Sequence, residues 1–295
     1  MATIEGIYAA SISIFKEDLS LDLEQSKKHF ENLIEKGCHG VVILGSTGQA
    51  QFISIKQKMD LIEYVSNSSQ KHNFIIGTGT NSLLDTANLI NHSKKLGFKN
   101  FLIMPSAYGW ASIKSKDEGA YVYFAELINK VTDCKIILYN FEKLCGYKFS
   151  IEVIEKLVKD FPDIIVGLKD SSYNLYEKLK IENFAIFPGS ETKLLRGLEI
   201  GCNGVISAIC NVLAPEARRV YDDFKNGKEV HDINEQLIAV RTAFDQHNLI
   251  SALHTYKSLN NSVYKSVIPP IKLLDENDRR KLFDTLEKLK FRKAA

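Results

Sequence analysis

The feature of this chain that most constrains its fold is a repeated alternation of short apolar runs with amphipathic stretches. Short continuous apolar runs are typical of strands that are buried on both faces, whereas amphipathic stretches with a period near 3.6 are typical of helices. Strands that alternate with helices through short, glycine-containing joints indicate βαβ units and a parallel sheet. The predicted strands are Gly6–Phe15, Gly40–Gly45, Phe74–Gly77, Asn100–Met104, Lys135–Asn140, Ile164–Lys169, Phe184–Pro188 and Gly204–Ile209.

Eight such units favour a (β/α)8 barrel. They occupy about 225 residues, which is the usual size of that fold. A doubly wound sheet is the alternative, although about six strands are more usual there. The run Gly77-Thr78-Gly79-Thr80 lacks the third glycine of a dinucleotide-binding fingerprint. The predicted helices between strands are Leu23–Lys36, Ile55–Ser66, Leu84–Leu96, Asp117–Val131, Ile151–Phe161 and Thr192–Ile200.

After Pro215 the strand signal disappears, and only helical patterns follow. Pro269-Pro270 interrupts the chain between the last two of them, because proline cannot continue a helix. We therefore expect residues 1–227 to form the barrel and residues 228–295 to form a C-terminal helical extension. The predicted helices in this part are Glu216–Asn226, Asp232–Gln246, Ser251–Asn260 and Asp278–Arg292.

Composition excludes several classes of function. The formal charge of +2 and the interspersed Lys and Glu argue against binding to nucleic acid or to a membrane surface. No apolar run approaches the roughly 18 residues that span a bilayer, and the first residues lack the features of a signal peptide. Five cysteines without a CxxC pair are typical of reduced thiols, so a cytoplasmic location is expected. The seven histidines are scattered, which predicts no metal site.

One lysine stands at the end of a buried strand. The run Ile164–Gly167 is β-branched and apolar, Leu168 and Lys169 end it, and Asp170 and two serines follow. Burial disfavours the charged form of an amine and frees its lone pair for attack on a carbonyl carbon. The sequence therefore favours Schiff-base chemistry at Lys169. The alternative is that the side chain extends outward to a carboxylate at the rim, such as that of Asp170.

Two further strand ends carry polar groups. In a barrel of this type the active site lies at the C-terminal ends of the strands. Gly45-Ser46-Thr47-Gly48 follows the second strand, and its hydroxyls and amides are suited to binding a carboxylate or phosphate. A tight turn with a helix cap is the alternative. Tyr139 ends the fifth strand and is suited to proton transfer, or else simply to packing. Because strands five and six are neighbours, Tyr139 and Lys169 are expected to lie side by side.

The seventh and eighth strands end in Gly189-Ser190-Glu191-Thr192 and in Ser207-Ala208. A glycine carbonyl together with the Glu191 carboxylate is suited to binding a hydroxylated substrate. The same residues are also typical of a helix N-terminus with an acidic first turn.

With these residues in view, the chain resembles the dihydrodipicolinate synthase / N-acetylneuraminate lyase family over nearly its whole length. Four short motifs carry the resemblance in order, namely Gly45-Ser46-Thr47-Gly48, Tyr139-Asn140, Gly167-Leu168-Lys169-Asp170 and Gly204-Val205-Ile206-Ser207. The resemblance implies a (β/α)8 barrel with a C-terminal helical extension, and a class I aldolase that acts on pyruvate and an aldehyde. It also implies a homodimer or homotetramer without a metal or nucleotide cofactor.

The resemblance assigns roles to residues. Lys169 forms the imine with a 2-oxo acid, Tyr139 relays protons, and Ser46 and Thr47 hold the substrate carboxylate. Lys169, Tyr139 and Thr47 are therefore the expected catalytic residues. The expected substrate-binding residues are Ser46, Gly48, Ser171, Gly189, Glu191, Ile206 and Ser207.

Departures from the family pattern bear on the substrate. The synthase branch usually has Tyr-Asn-x-Pro-x-Arg, in which the arginine binds the carboxylate of aspartate semialdehyde. Here Glu142 takes the proline position and Leu144 the arginine position. An apolar side chain cannot replace a bidentate clamp, so the departure argues against dihydrodipicolinate synthesis. Ser46 and Leu144 are closer to the neuraminate lyase branch.

The last two departures concern the seventh strand and the loop after the fourth. Glu191-Thr192 and Ala208 make a poorer polyol site than that of the lyase branch, and Gly189-Ser190-Glu191 is more similar to 2-keto-3-deoxy sugar acid aldolases. Ala107 stands where the family has a tyrosine that crosses to the neighbouring subunit, so Tyr108 is the candidate relay in its place.

The sequence thus predicts a Schiff-base aldolase that makes or cleaves a bond between pyruvate and an aldehyde, with a 2-keto-3-deoxy sugar acid or related 2-oxo acid as the cleaved compound. A dihydrodipicolinate synthase with another carboxylate anchor is the alternative. A third hypothesis is a barrel that binds a 2-oxo acid with little turnover, which the changes at Ala107 and Leu144 keep open.

Overall fold

The computed structural model describes residues 4–291 and forms a barrel of eight parallel strands. The strands follow the order β7-β6-β5-β4-β3-β2-β1-β8, so from β1 to β7 each strand pairs with the next one in the sequence, and β1 also pairs with β8. The predicted (β/α)8 fold with C-terminal helices is confirmed. The strands are β1 (Gly6–Ala10), β2 (Gly40–Ile43), β3 (Phe74–Gly77), β4 (Asn100–Ile103), β5 (Lys135–Asn140), β6 (Ile165–Asp170), β7 (Ala185–Pro188) and β8 (Gly204–Ser207).

Helices surround this barrel and then continue beyond it. Most begin at a Ser, Asp or Asn side chain that accepts a hydrogen bond from a backbone N–H of the first turn, as at Asp22, Ser54 and Ser82. The helices are α1 (Leu23–Glu35), α2 (Ile55–Ser66), α3 (Leu83–Lys95), α4 (Lys116–Ile128), α5 (Glu142–Cys145), α6 (Ile151–Asp160), α7 (Leu194–Glu199), α8 (Cys210–Lys225), α9 (His231–Asp245), α10 (Leu249–Ser258) and α11 (Glu276–Lys288).

The barrel closes between β7 and β8 through one asparagine. The Asn203 backbone N–H donates to the Ile186 carbonyl at 2.9 Å, and the Ile186 N–H donates to the Asn203 side-chain oxygen at 2.9 Å. The same residue's carbonyl accepts from the Gly6 N–H at 2.8 Å. One asparagine thus joins three strands at the bottom of the barrel.

Two separate cores stabilise the fold. A large outer core fills the space between strands and helices, and a small inner core fills the barrel. Because side chains alternate along a strand, each strand contributes to both. The buried residues of the inner core are Ala10, Val42, Ile75, Leu102, Ile137, Tyr139, Ala185, Phe187 and Ile206. Tyr139 and Ile206 are therefore inward-facing residues of the barrel.

The first strand ends earlier than predicted. It stops at Ala10 rather than at Phe15, because two of the backbone N–H groups after Ser11 bond to side chains. The Ile12 N–H donates to the Asn211 side-chain oxygen at 3.1 Å, and the Ile14 N–H donates to the Ser26 hydroxyl at 3.0 Å. The alternation of apolar residues continues past Ala10, which explains why the pattern alone extends the strand.

Helix α8 begins earlier than predicted, at Cys210 instead of Glu216. Leu213 has non-helical angles (φ −119°, ψ 26°) inside it, so Pro215 lies near the start of a second helical segment, where proline is tolerated. The predicted boundary between residues 227 and 228 falls in the turn between α8 and α9. Predictions for residues 1–3 and 292–295 lie outside the described residues.

Within residues 4–291, no helix combines the length and the apolar character needed to cross a bilayer.

Candidate active site

The centre of the site is formed by two residues on adjacent strands. Lys169 on β6 and Tyr139 on β5 are partners in the sheet, and the Lys169 Nζ lies 4.3 Å from the centroid of the Tyr139 ring. Both side chains are buried, at 4% exposure each. The two residues thus lie side by side, as predicted from the strand order. An amine in this position is poorly reached by water, as nucleophilic amines require.

The predicted alternative, an ion pair between Lys169 and Asp170, is not what the Asp170 carboxylate does. This carboxylate is fully buried and ends the strand as a cap for the following loop. Its two oxygens accept hydrogen bonds from four backbone N–H groups and from one amide side chain. The donors are Ser172 N at 3.1 Å, Tyr173 N at 2.9 Å, Leu175 N at 2.9 Å, Tyr176 N at 3.0 Å and Asn140 Nδ2 at 2.8 Å.

The loop after β2 reaches the same centre. The Ser46 Oγ and the Tyr139 hydroxyl lie 3.1 Å apart, which joins the predicted carboxylate loop to the predicted proton relay. Thr47 is buried beside it, at 8% exposure. Gly48 packs so tightly that a Cβ there would lie 2.9 Å from the Ser13 Oγ. The glycine therefore lets the loop lie against the chain that follows β1.

A cavity of about 580 Å³ opens beside Ser46 and Tyr139. It extends from Ser46 and Tyr139 to the loop after β4, and its rim includes Leu144, Ala107 and Tyr108. Tyr108 is 80% exposed, and Leu144 is 43% exposed. The predicted role of Tyr108 as a relay toward a neighbouring subunit stays a prediction.

Gly189 and Ser171 lie against each other at the ends of β7 and β6. A Cβ on Gly189 would lie 2.1 Å from the Ser171 Oγ, so this approach requires glycine. The Gly189 N–H also donates to the Asp170 carbonyl at 2.9 Å. The structure thus brings these two predicted substrate-binding residues together at the C-terminal end of the barrel, which we call the mouth.

Glu191 and Ser207, also predicted to bind substrate, are occupied by contacts within the protein. Both are fully buried. Arg241 on α9 donates to the Glu191 Oε2 and to the Ser207 Oγ, each at 2.9 Å, and its Nε donates to Asp245 at 2.8 Å. Cys210 adds a contact to the Glu191 Oε1 at 3.1 Å. These contacts indicate that Glu191 and Ser207 support the mouth from behind; direct binding of substrate by either stays a prediction.

The charges in this group compensate one another. Burial lowers the pKa of Arg241, but the carboxylates of Glu191 and Asp245 raise it by more, so the guanidinium stays charged. Ile206, the remaining predicted substrate-binding residue, is fully buried in the inner core.

The described part of the chain contains no group of three or more His, Cys, Asp and Glu side chains arranged to hold a metal ion. The predicted absence of a cofactor stays a prediction.

Comparison with known proteins decides the family. The model of the dihydrodipicolinate synthetase family matches residues 3–289. An uncharacterized DapA-like lyase of Chloroflexus aurantiacus is 31% identical over 260 residues, which cover 86% of each chain. The chain belongs to the dihydrodipicolinate synthetase family. Since members of this family are lyases, the chain is an enzyme of the lyase class, as predicted.

Other members give the same family but differ in name. A 4-hydroxy-tetrahydrodipicolinate synthase of Hydrogenobaculum is 28% identical and covers 97% of this chain and 98% of its own length. Among solved structures, the fold is similar to that of YagE, a prophage protein of E. coli K12 in complex with pyruvate. The TM-score is 0.87 at 22% identity, and the match covers 99% of this chain and 100% of YagE.

Three residues of this family member's mouth were missed by sequence reasoning. Lys58 and Arg241 lie on the apolar faces of α2 and α9. A cation at such a position can be recognised in the sequence, since Leu61, Ile62 and Val65 share the helix face of Lys58. Tyr173 gave no such signal, since only its backbone angles distinguish it.

Lys58 is the more unusual of the two cations. It is 1% exposed, and its Nζ donates to the carbonyls of Thr78 and Gly79, both at 2.8 Å. Burial lowers the pKa of Lys58 to about 8, against a smaller opposing effect of Asp85. Lys58 lines the same cavity as Ser46, and it fixes the loop after β3.

Proposed function

We propose that this enzyme forms or cleaves a carbon–carbon bond between pyruvate and an aldehyde through an imine on Lys169. The observation that carries the proposal is the buried Lys169 amine beside Tyr139, whose hydroxyl contacts Ser46. Membership of a family of class I aldolases supports it, and so does the fold shared with a pyruvate complex.

The first step joins the amine to the keto group. The Lys169 nitrogen attacks the keto carbon of pyruvate, and the Tyr139 hydroxyl, which contacts Ser46, delivers a proton to the oxygen that becomes water. Loss of that water leaves a protonated imine. The hydroxyls of Ser46 and Thr47 hold the pyruvate carboxylate, which fixes the orientation of the carbon that reacts next.

The second step makes the new bond. The protonated imine draws electrons, so its methyl carbon loses a proton and an enamine forms. The enamine carbon attacks the aldehyde carbon, and the aldehyde oxygen takes up a proton. Water then adds to the imine, and the product leaves with the amine restored. These steps need no metal or nucleotide, because the imine itself accepts the electrons.

We propose that the aldehyde is the one released when a 2-keto-3-deoxy sugar acid, or a related 2-oxo acid, is cleaved to pyruvate. Aspartate semialdehyde carries a carboxylate, and such a group is best held by an arginine fork. The position that carries this arginine in the synthase branch is Leu144, at the rim of the cavity. A neutral hydroxylated aldehyde needs no such cation.

Dihydrodipicolinate synthesis is the second candidate. It is favoured by the names of several relatives, which are 4-hydroxy-tetrahydrodipicolinate synthases at 26–30% identity. Lys58 lines the same cavity as Leu144 and offers another cation to a carboxylate. We propose a homo-oligomer for either function, with Tyr108 extending toward the neighbouring subunit.

The test is borohydride reduction in the presence of pyruvate, followed by peptide mass analysis. We expect a reduced pyruvyl adduct on Lys169, and pyruvate release from a panel of keto-deoxy sugar acids. Turnover that requires aspartate semialdehyde would establish the second candidate instead. An adduct without turnover on any aldehyde would leave a barrel that only binds 2-oxo acids, and absence of the adduct would refute the imine.

A further inference from the structure

Tyr173, in the loop after β6, has a backbone that bulky residues rarely adopt. Its φ is +57°, and within residues 4–291 no other aromatic residue is left-handed. The Asp170 carboxylate holds this conformation, because its Oδ1 accepts the N–H groups of both Ser172 and Tyr173. A glycine would adopt the same angles without strain, so something other than the backbone favours tyrosine here.

The loop that carries Tyr173 is tied to the catalytic strands. Asn140, the residue after Tyr139, donates to the carboxylate of Asp170, the residue after Lys169, at 2.8 Å. The same amide donates to the Asn174 side-chain oxygen at 2.8 Å. The position of Tyr173 is therefore fixed relative to Tyr139 and Lys169.

The Tyr173 side chain lies at the mouth, over the end of β7. It is 39% exposed, and the Lys193 Nζ stands 5.9 Å from its ring centroid. Burial raises the pKa of Tyr173, whereas the nearby Arg241 guanidinium and Ser190 hydroxyl oppose this effect. The ring is thus neither a core residue nor a free surface residue.

Two hydroxyl groups follow the end of β7 near the ring. The Ser190 hydroxyl interacts with the Tyr173 phenol, and its Oγ lies 3.1 Å from the Thr192 Oγ1. Beneath them, the carboxylates of Glu191 and Asp245 compensate the charge of Arg241. A substrate tail at this place therefore meets hydroxyl donors and acceptors over a compensated ion pair, which suits a hydroxylated tail. The Lys193 ammonium is the charged group nearby that an anionic tail would use instead, so the test below includes a phosphorylated aldehyde.

We propose that Tyr173 is the specificity-determining residue for the aldehyde, and that its phenol binds a hydroxyl group of a neutral polyhydroxylated aldehyde together with Ser190 and Thr192. This inference rests on the proposed function, whose imine chemistry brings the aldehyde to this mouth. It explains why a strained tyrosine is held where glycine would be relaxed.

The test compares wild type with Tyr173→Phe in condensation of pyruvate with D-glyceraldehyde and with propanal, which has the same chain without hydroxyls. We expect KM for glyceraldehyde to rise about tenfold, the loss typical of one hydrogen bond, and KM for propanal to stay unchanged. Borohydride trapping of pyruvate on Lys169 should also be unchanged. An unchanged KM for glyceraldehyde, or a preference for phosphorylated glyceraldehyde that Tyr173→Phe leaves intact, would overturn the proposal.

Two further variants separate binding from folding. Tyr173→Gly removes the ring and relaxes the backbone, so we expect it to fold at least as stably as wild type and to lose the preference for glyceraldehyde over propanal. Tyr64→Phe is the matched control, because Tyr64 has the same 39% exposure but lies on α2. It should leave both KM values unchanged.

A binding measurement makes the test independent of turnover. Saturation-transfer NMR with erythritol, a polyol without a carbonyl, should show contacts to wild type that weaken in Tyr173→Phe. Equal transfer in the two proteins would overturn the inference even if no condensation is found. Failure of pyruvate trapping in wild type, by contrast, would refute only the imine on Lys169.

Discussion

On one side of the barrel mouth, Tyr139 and Lys169 lie on neighbouring strands, and Ser46 reaches them from the loop after β2. We call this the imine side, after the chemistry proposed for Lys169. On the other side, Glu191 and Ser207 follow β7 and β8 and are held by Arg241, which belongs to the C-terminal helices. We call this the extension side. The imine side is positioned by the register of the sheet, whereas the extension side is positioned by a buried ion pair.

Each side also has one buried cation behind a loop, and the two cations differ. Lys58 on the imine side donates only to carbonyls, and burial lowers its pKa to about 8. Arg241 on the extension side has two carboxylates, which raise its pKa. A buried cation without a carboxylate in contact makes the free energy of unfolding depend on pH. A buried cation that is paired with carboxylates makes the free energy of unfolding depend on whether those carboxylates are present. The following variants test this contrast.

The largest effect is expected on the imine side. Lys169→Ala removes the nucleophile, so turnover should fall by at least about 10⁴-fold, as for other nucleophile deletions, and trapping should vanish. Initial rates and peptide mass analysis measure this. Lys257→Met is the control, since Lys257 is another lysine whose side chain is partly buried, but it lies on α10. Continued trapping in Lys169→Ala would place the imine elsewhere.

The next effect is on stability and belongs to the extension side. Arg241→Met leaves the Glu191 carboxylate buried without its partner, which should lower the free energy of unfolding by about 3–5 kcal/mol. Urea titration measures the change. The double variant Glu191→Gln/Arg241→Met should recover much of it.

Arg219→Met is the matched control for this prediction. Its ion pair with Asp223 has the same four-residue spacing as the pair of Arg241 with Asp245, but the Arg219 side chain is 70% exposed. The loss should stay below about 1 kcal/mol. Equal losses for the two arginine variants would remove the contrast between the sides.

The variant Tyr139→Phe tests the imine side again. Loss of the hydroxyl that contacts Ser46 should slow turnover by about 10²–10³-fold, within the range of general acid–base catalysis. Stopped-flow measurement of imine formation should show the same slowing, while the free energy of unfolding stays close to that of wild type. A rate close to wild type would assign the proton relay to another group.

Lys58 predicts a pH dependence of stability. Its pKa is about 8 in the folded protein and 10.5 ordinarily, so between these values the unfolded chain binds more protons. The free energy of unfolding should therefore rise with pH across this window, by about 2–3 kcal/mol. Lys58→Met should lack this part of the rise. Urea titrations of wild type and Lys58→Met between about pH 7 and about pH 10 measure the two pH dependences. Their difference isolates Lys58, because the contributions of the other titrating groups are the same in both proteins and cancel.

The smallest effect concerns the rim. Leu144→Arg introduces the carboxylate-binding arginine that the synthase branch has at this position. Since the leucine is 43% exposed, the longer arginine side chain can be accommodated. We expect KM for aspartate semialdehyde to fall about tenfold, with pyruvate trapping unchanged. Leu144→Met serves as control for the loss of leucine. No gain would mean that the cavity directs the aldehyde away from this rim.

The sequence predicted the imine side better than the extension side, and the reason is physical. Strand order places Tyr139 beside Lys169, and short motifs mark strand ends, so the pair follows from the alternation of apolar runs. The direction of the Glu191 side chain depends on Arg241, 50 residues further on. No local pattern shows that an acid at a strand end pairs with an arginine on a helix 50 residues further along the chain.

Other residues depended on contacts of the same long range. The end of β1 at Ala10 is set by Asn211, and the cap formed by Asp170 depends on a loop without regular structure. The left-handed backbone of Tyr173 could not be predicted, because tyrosine disfavours it.

The ion pair between Arg241 and Glu191 also limits how such a chain can be divided. A break in the turn that precedes α9 would place the acid and its counter-ion on different fragments, so we expect the barrel fragment alone to be less stable than the whole chain. Recombining the barrel of one relative with the tail of another should succeed only when both halves of this salt bridge come from compatible parents.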